Sequence, residues 1–201
     1  IALDGFQIFF REQRPFFVEN SNIFDYEFAN GSDNLFYSRR IGRNPHRSAT
    51  LTSGEYANEP RNSRILGAAK FSGKTRDGWS IGVLESVTAN EFSEIRQTDG
   101  TTRKEIVEPL TNYFVGRIQK DFNERNSFIG GIFTATNRHL NGDFNELHKA
   151  AYSGGIDFQH NWKNRVYFLE GNIIFSHVLG STEAIKATQE TLRHNFQRTD
   201  A

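Results

Sequence analysis

From Ile65 onward the apolar and polar positions alternate with a period of two. In the run Trp79 to Asn90, the odd positions are Trp79, Ile81, Val83, Glu85, Val87 and Ala89. The even ones are Ser80, Gly82, Leu84, Ser86, Thr88 and Asn90. Apart from Glu85 and Leu84, one face is apolar and the other small or polar, as in a strand whose two faces meet different surroundings. Arg165 to His177 and Leu110 to Phe122 alternate in the same way. The first sets Tyr167, Leu169, Gly171, Ile173 and Phe175 against Phe168, Glu170, Asn172, Ile174 and Ser176; the second sets Leu110, Phe114, Gly116, Ile118 and Phe122 against Thr111, Tyr113, Arg117, Gln119 and Asp121. Ile65 to Thr75 and the Gly-rich runs FIGGIFTATN and AYSGGIDFQHN complete a set of six predicted strands.

The connections follow a rhythm of their own. Arg76-Asp77-Gly78, Asn123 to Asn126 and Asn161 to Asn164 are short turns that close three hairpins, the first on an Asp-Gly signal. Between hairpins lie longer polar stretches, Glu91 to Pro109, His139 to Ala150, and Val178 onward. Six strands of roughly ten to thirteen residues exceed the usual soluble strand and match the length that crosses a bilayer when tilted. Short turns at one end and long loops at the other are the layout of an outer-membrane barrel. A closed barrel pairs every backbone group in lipid and needs no thick apolar core. Trp79, Trp162 and Tyr167 fall beside the short turns, where an interfacial aromatic girdle sits. The expectation is therefore an all-β protein, an antiparallel transmembrane β-barrel of which this chain is the N-terminal part. A soluble β-sandwich or a large antiparallel sheet with one wet face is the competing architecture. Glu85 and Asn112 interrupt the apolar faces, and Lys120 lies close enough to a turn to snorkel.

Residues 1–64 read differently. Phe9, Phe10, Phe16, Phe17 and Phe24 are interleaved with Arg11, Glu12, Arg14 and Glu19, and Pro15 blocks a continuous helix or central strand. This charged and aromatic segment is expected to pack into the lumen, with one strand over 35–42 and a polar loop over 44–64. Beyond the sixth strand, TEAIKATQETLRHNF predicts a short helix capped by Ser181 or Thr182.

Composition narrows the classes. The 201 residues carry 24 basic and 24 acidic side chains, a balance that argues against a nucleic-acid partner. No cysteine is present, which removes disulfides, thiolate metal sites and cysteine nucleophiles. Phe accounts for 19 residues although mean hydropathy is −0.61, which suits a wall that is apolar on one side only. The chain starts at Ile1 and reads as a piece of a longer polypeptide.

Several stretches together carry a resemblance: REQRPFFVENSNIF at 11–24, FYSRRIGRNP at 36–45, ILGAAKFSGKT with GWSIGVLESVT, EPLTNYFVGRIQKDF at 108–122, AYSGGIDF at 151–158, and the terminal HNFQRTDA. They resemble a domain-of-unknown-function family of Gram-negative outer-membrane proteins. In that family a family-9-like carbohydrate-binding domain commonly precedes a β-barrel region. The resemblance spans nearly the whole chain. It implies a bacterial outer-membrane location, contact with outer-membrane lipid, and a carbohydrate ligand reached through a domain not in this chain. It supplies no catalytic residues.

The residues themselves show no Gly-x-Ser-x-Gly elbow, His-Glu-x-x-His or phosphate-binding glycine loop, and predict no cofactor. Gly130-Gly131 and Gly154-Gly155 sit inside predicted strands and read as places where sheet curvature or a close side chain needs no Cβ. His139 and His148 share a loop without metal-ligand spacing, so no metal site is expected. Asp157 and Glu170 face one another across the third hairpin. Two carboxylates at such a separation serve glycosidases, but polar groups are also what a barrel interior requires. Arg117, Asp121, Asp157, Glu170 and Asn172 are the candidate lumen-facing strand polars. The densest charge is Arg11, Glu12, Arg14, Glu19, Arg39, Arg40 and Arg43. It reads either as an anion-binding constriction or as an ion-pair network fixing the N-terminal segment to the wall. The expected role is a pore, or the handling of a solute or glycan at the surface. The alternatives are a barrel that anchors protein partners of the long loops, and a carbohydrate-active hydrolase.

Overall fold

The computed structural model describes residues 10–26, 34–142 and 144–191. Within them the chain forms mostly antiparallel β-structure in two open sheets. Helix α1 (Pro15–Val18) is a single turn started by its proline, whose missing N–H costs nothing at that position. The strands follow as β1 (Tyr56–Asn58), β2 (Ile65–Lys74), β3 (Trp79–Thr88), β4 (Glu91–Arg96), β5 (Thr102–Glu108), β6 (Thr111–Phe122), β7 (Ser127–Arg138), β8 (Ala150–Trp162) and β9 (Tyr167–Leu179), and then helix α2 (Thr182–Gln189). Ser181 is the α2 cap, its Oγ accepting the Ala184 N–H at 3.1 Å.

The larger sheet has the order β2-β3-β6-β7-β8-β9, all neighbours antiparallel. These six strands are the segments whose sequence alternates with period two. The sheet ends at β2 and β9, so it is open, and no closed barrel is formed by the described residues. Two of its short turns share an uncommon backbone. Asn123, Glu124 and Arg125 run through φ of 49°, 55° and 64°, and Lys163, Asn164 and Arg165 through 48°, 56° and 66°. Three successive left-handed residues without glycine reverse the chain in a small space.

Two sequence expectations need correction. Glu91 to Pro109 is not a polar loop: β4 and β5 pair in register, with β1 on the outer side of β4. Charged residues dominate β4 and β5, yet Ser93, Ile95 and Val107 are buried in them, because only one face of this small sheet meets water. Nor is 35–42 a strand. Ser38–Arg40 is one 3₁₀ turn between extended Tyr37 and Ile41. The segment crosses a sheet face rather than lying along an edge, so no strand among the described residues satisfies its backbone. Arg14 does so instead, its guanidinium donating to the carbonyls of Ile41 at 2.7 Å and Ser38 at 2.9 Å.

The core lies between that N-terminal segment and one face of the large sheet. Phe17, Phe24, Tyr26 and Ile41 from the segment meet Leu84, Val115 and Ile132 from β3, β6 and β7. Leu84, the apolar residue on the otherwise polar face of β3, is 2% exposed beneath them. The opposite face carries the alternating apolar row. Phe71, Val83, Ile118, Ile129, Ile156 and Ile173 are all exposed there. The sheet thus covers its small and polar face and leaves its apolar face bare.

Candidate functional site

The covered face is the candidate site. Cross-strand register places Gly82, Arg117, Ile132, Gly155 and Ile174 in one row across it. Arg117 dominates its middle. Its two terminal nitrogens donate to the two oxygens of Asp157 at 2.6 Å each, the two-pronged geometry that guanidinium and carboxylate form best. The Arg117 side chain is 3% exposed, and its Nε has no hydrogen-bond partner. Gly130 lies beneath the pair: a Cβ there would stand 2.7 Å from Asp157 Oδ1 and 2.8 Å from Arg117 Nη1.

Tyr26 joins the segment to the wall. Its ring receives the Arg117 guanidinium at 5.3 Å, and its hydroxyl donates toward the carbonyls of Ile156 at 3.0 Å and Ile173 at 3.2 Å. A Cβ at Gly155 would collide with that hydroxyl. A second anchor lies on β2, where Lys70 donates to the carbonyls of Phe16 in α1 and of Glu19 just after it, and sits over the Phe16 ring. Asn20 reaches Ser72 beside it at 3.2 Å.

All five strand polars singled out from the sequence lie on this face. Asp157 holds Arg117, and Asp121 accepts from Gln119 at 2.9 Å. Asn172 is the register partner of Asp157, and Glu170 the partner of Gln159, which puts Asp157 and Glu170 on a diagonal. Both oxygens of Asp157 are occupied by Arg117, so it is not free to act with Glu170 as a carboxylate pair.

The charged N-terminal cluster divides into two groups. Glu12 and Arg14 form a knot: Glu12 accepts from Arg14 Nε at 2.9 Å and Nη2 at 2.7 Å, from Ser38 Oγ at 2.7 Å, and from the backbone N–H groups of Gln13 and Arg14 at 3.0 Å. Burial alone would raise the Glu12 pKa; the hydrogen bonds from Arg14 and Ser38 outweigh it and hold it at about 2. The Arg14 guanidinium also stacks over Phe17 at 4.2 Å. This knot ties the segment to itself, while the links to the wall run through Tyr26, Lys70 and Asn20. The other cluster members, Arg11, Glu19, Arg39, Arg40 and Arg43, are exposed. Arg39 donates to the Arg11 carbonyl at 2.8 Å and lies 5.6 Å over Phe10.

Sequence reasoning missed a set of carboxylates at the long-loop end. Glu108, 1% exposed, accepts from His46 N at 2.8 Å and contacts His46 Nδ1 at 2.7 Å. Glu105 meets Arg47 at 3.4 Å, and Arg103 bridges Glu105 at 2.9 Å to Glu55 at 3.1 Å. Hydrogen bonds from Arg103 and the Thr52 N–H hold the Glu55 pKa at about 2. Glu91 accepts from the N–H of Arg64 at 2.7 Å. Together they strap residues 44–64 over the β4–β5 hairpin. The signal available beforehand was the acid-and-base alternation of 91–108, which suits paired strands as well as a solvated loop. His148 Nε2 meets Thr188 Oγ1 at 2.9 Å, tying the preceding loop to α2. Among the described residues no group of three or more His, Asp or Glu is placed to hold a metal ion.

The family model described as Domain of unknown function (DUF5916) matches residues 1–200. The chain belongs to that family. No curated protein and no solved structure matches this DUF5916 chain. Functional inference for the chain rests on the geometry of the two faces.

Proposed function

We propose that this chain is wall and lumen filling of an outer-membrane β-barrel through which a solute passes or at whose mouth it is handled. The observation that carries this reading is the inverted sheet. Water-soluble antiparallel sheets bury the apolar face and wet the polar one. Here the small and polar face is packed under residues 10–26 and 34–43, and the apolar face is bare over six long strands.

The bare face also has a defined height. At the short-turn end it carries Trp79, Phe122, Trp162 and Tyr167, with Trp162 and Tyr167 stacked at 6.0 Å. At the long-loop end it carries a polar row in which Asn112 donates to Glu85 at 2.9 Å and Tyr152 donates to Asn137 at 2.8 Å, with His177 beside Tyr152 in register. Phe122 to Asn112, Trp162 to Tyr152 and Tyr167 to His177 are each ten residues apart on their strand. Ten residues at about 3.3 Å, tilted by about 40°, rise about 25 Å, the height of the apolar band of such barrels. Glu85, which breaks the sequence pattern, belongs to the polar row and has a hydrogen-bond partner there.

The test is extraction of the full-length protein from cell envelopes with and without detergent, followed by electrophoresis of boiled and unboiled samples. Detergent-dependent solubility with a mobility shift on boiling is the expected result. A protein that washes off in buffer would overturn the reading.

A further inference from the structure

The N-terminal segment leaves an open cavity of about 620 Å³ against the entry to β2, bounded by Glu12, Arg14, Arg39, Arg43, Asn62 and Ser63. Its charge is one-sided. Glu12 is the one carboxylate of the lining, and it is saturated by Arg14, Ser38 and two backbone N–H groups. Arg14 is spent on Glu12 and on the carbonyls of Ser38 and Ile41. Arg39 and Arg43 have no carboxylate partner among the described residues. Arg39 uses one nitrogen on the Arg11 carbonyl, and its plane is held over Phe10, so its remaining donors are oriented before any ligand arrives. The chain can make this cavity because Gly42, at φ +76°, turns between Ile41 and Arg43 in a conformation that side chains rarely adopt.

We infer that this cavity binds a small solute bearing two or more oxyanion groups, carboxylate or phosphate, with Arg39 and Arg43 as its ligands. The inference deepens the barrel reading by naming a solute class, and it rests on that reading only for the solute's route. Guanidinium groups take planar or tetrahedral oxyanions through paired N–H donors, and two unneutralised ones select against singly charged or neutral solutes. The volume admits a molecule of citrate or pyrophosphate size together with water.

Calorimetric titration of the full-length protein, folded in detergent, with pyrophosphate and with citrate reads the site directly. Binding of at least one of them at a single site is expected, weakening as salt rises. Arg39→Gln and Arg43→Gln should each weaken it about tenfold, the equivalent of one charge-assisted hydrogen bond of about 1.4 kcal/mol. Arg76→Gln, in the distant short turn, should leave it unchanged. Pyrophosphate alone would assign phosphate chemistry, and citrate alone carboxylate chemistry. Arg39 also braces the Arg11 carbonyl, so if its variant misfolds, Arg43→Gln decides, because the Arg43 side chain makes no hydrogen bond or ion pair among the described residues. Binding of neither probe, or wild-type binding by Arg43→Gln, would overturn the inference. Binding by a protein that needs no detergent would uphold the anion site while removing the barrel.

Discussion

Replacing Ile173 by arginine puts a guanidinium on the bare apolar face at a depth the geometry fixes. Ile173 is 73% exposed, six residues along β9 from Tyr167 and four from His177. At about 3.3 Å per residue and a tilt of about 40°, it lies about 15 Å from the aromatic row and about 10 Å from the polar row. That is close to the middle of the band. An arginine at the midplane of a lipid-facing strand costs about 2–4 kcal/mol. The same substitution at an exposed site in water changes stability by about 0.5 kcal/mol or less. The two environments therefore differ by several-fold at one position. Asn172→Arg is the internal control, since Asn172 is the register partner of Asp157 and lies on the other face, away from the apolar row. Ile156→Arg repeats the experiment inside the sheet, because Ile156 is the register partner of Ile173 on β8. Urea unfolding of protein folded in vesicles, with unchanged slope, gives each difference. Ile173→Arg and Ile156→Arg should lose about 2–4 kcal/mol and Asn172→Arg less than about 1. Losses of under about 0.5 kcal/mol at both isoleucines, or equal losses on the two faces, would refute the assignment of the bare face to lipid.

Other perturbations address the segment and the turns. Tyr26→Phe should cost about 1 kcal/mol through the hydroxyl alone, read by unfolding. Gly155→Ala should cost about 1–3 kcal/mol by overpacking against Tyr26, and its cost should shrink in a Tyr26→Ala background, where the colliding group is gone. Glu12 has a folded pKa of about 2 against its ordinary value of 4.5. A depressed carboxylate pKa contributes stability that is complete above about pH 4.5 and is lost as pH falls toward 2. Protease release of the N-terminal segment should rise across that window, and Glu12→Gln should flatten the dependence while raising release at neutral pH. Glu124→Gly, at φ 55°, should raise stability by up to about 1 kcal/mol, visible as a melting point a few degrees higher.

The segment over residues 10–26 and 34–43 joins apolar core contacts to charge, and the strap over 44–64 is held by ion pairs and charge-assisted hydrogen bonds. The segment's apolar groups reach the sheet where small residues leave room, as at Gly155 under Tyr26. Charge-assisted bonds within a partly buried site are individually stronger than exposed pairs, and losing one partner strands the other. This predicts that the Glu12–Arg14 knot resists substitution on either side more than the exposed Lys104–Glu94 pair does.

The sequence by itself determined the six long strands, their pairing into hairpins and the identity of their faces. Period-two alternation is a local property, and each face's chemistry is written at every second residue. Turn residues such as Asp77-Gly78 likewise act within their own neighbourhood. The β4–β5 pair escaped because both of its strands are rich in charge, and only β1 and the strap, which come from elsewhere in the chain, reveal which side is buried. The non-strand over 35–42 escaped for the opposite reason: its composition permits a strand, and only its route across a sheet face withholds a partner. The ligation of Asp157 by Arg117, 40 residues away, and the seat of Tyr26 over Gly155 depend on register and on which face the N-terminal segment covers. Those are long-range choices, settled by packing, and no local pattern encodes them.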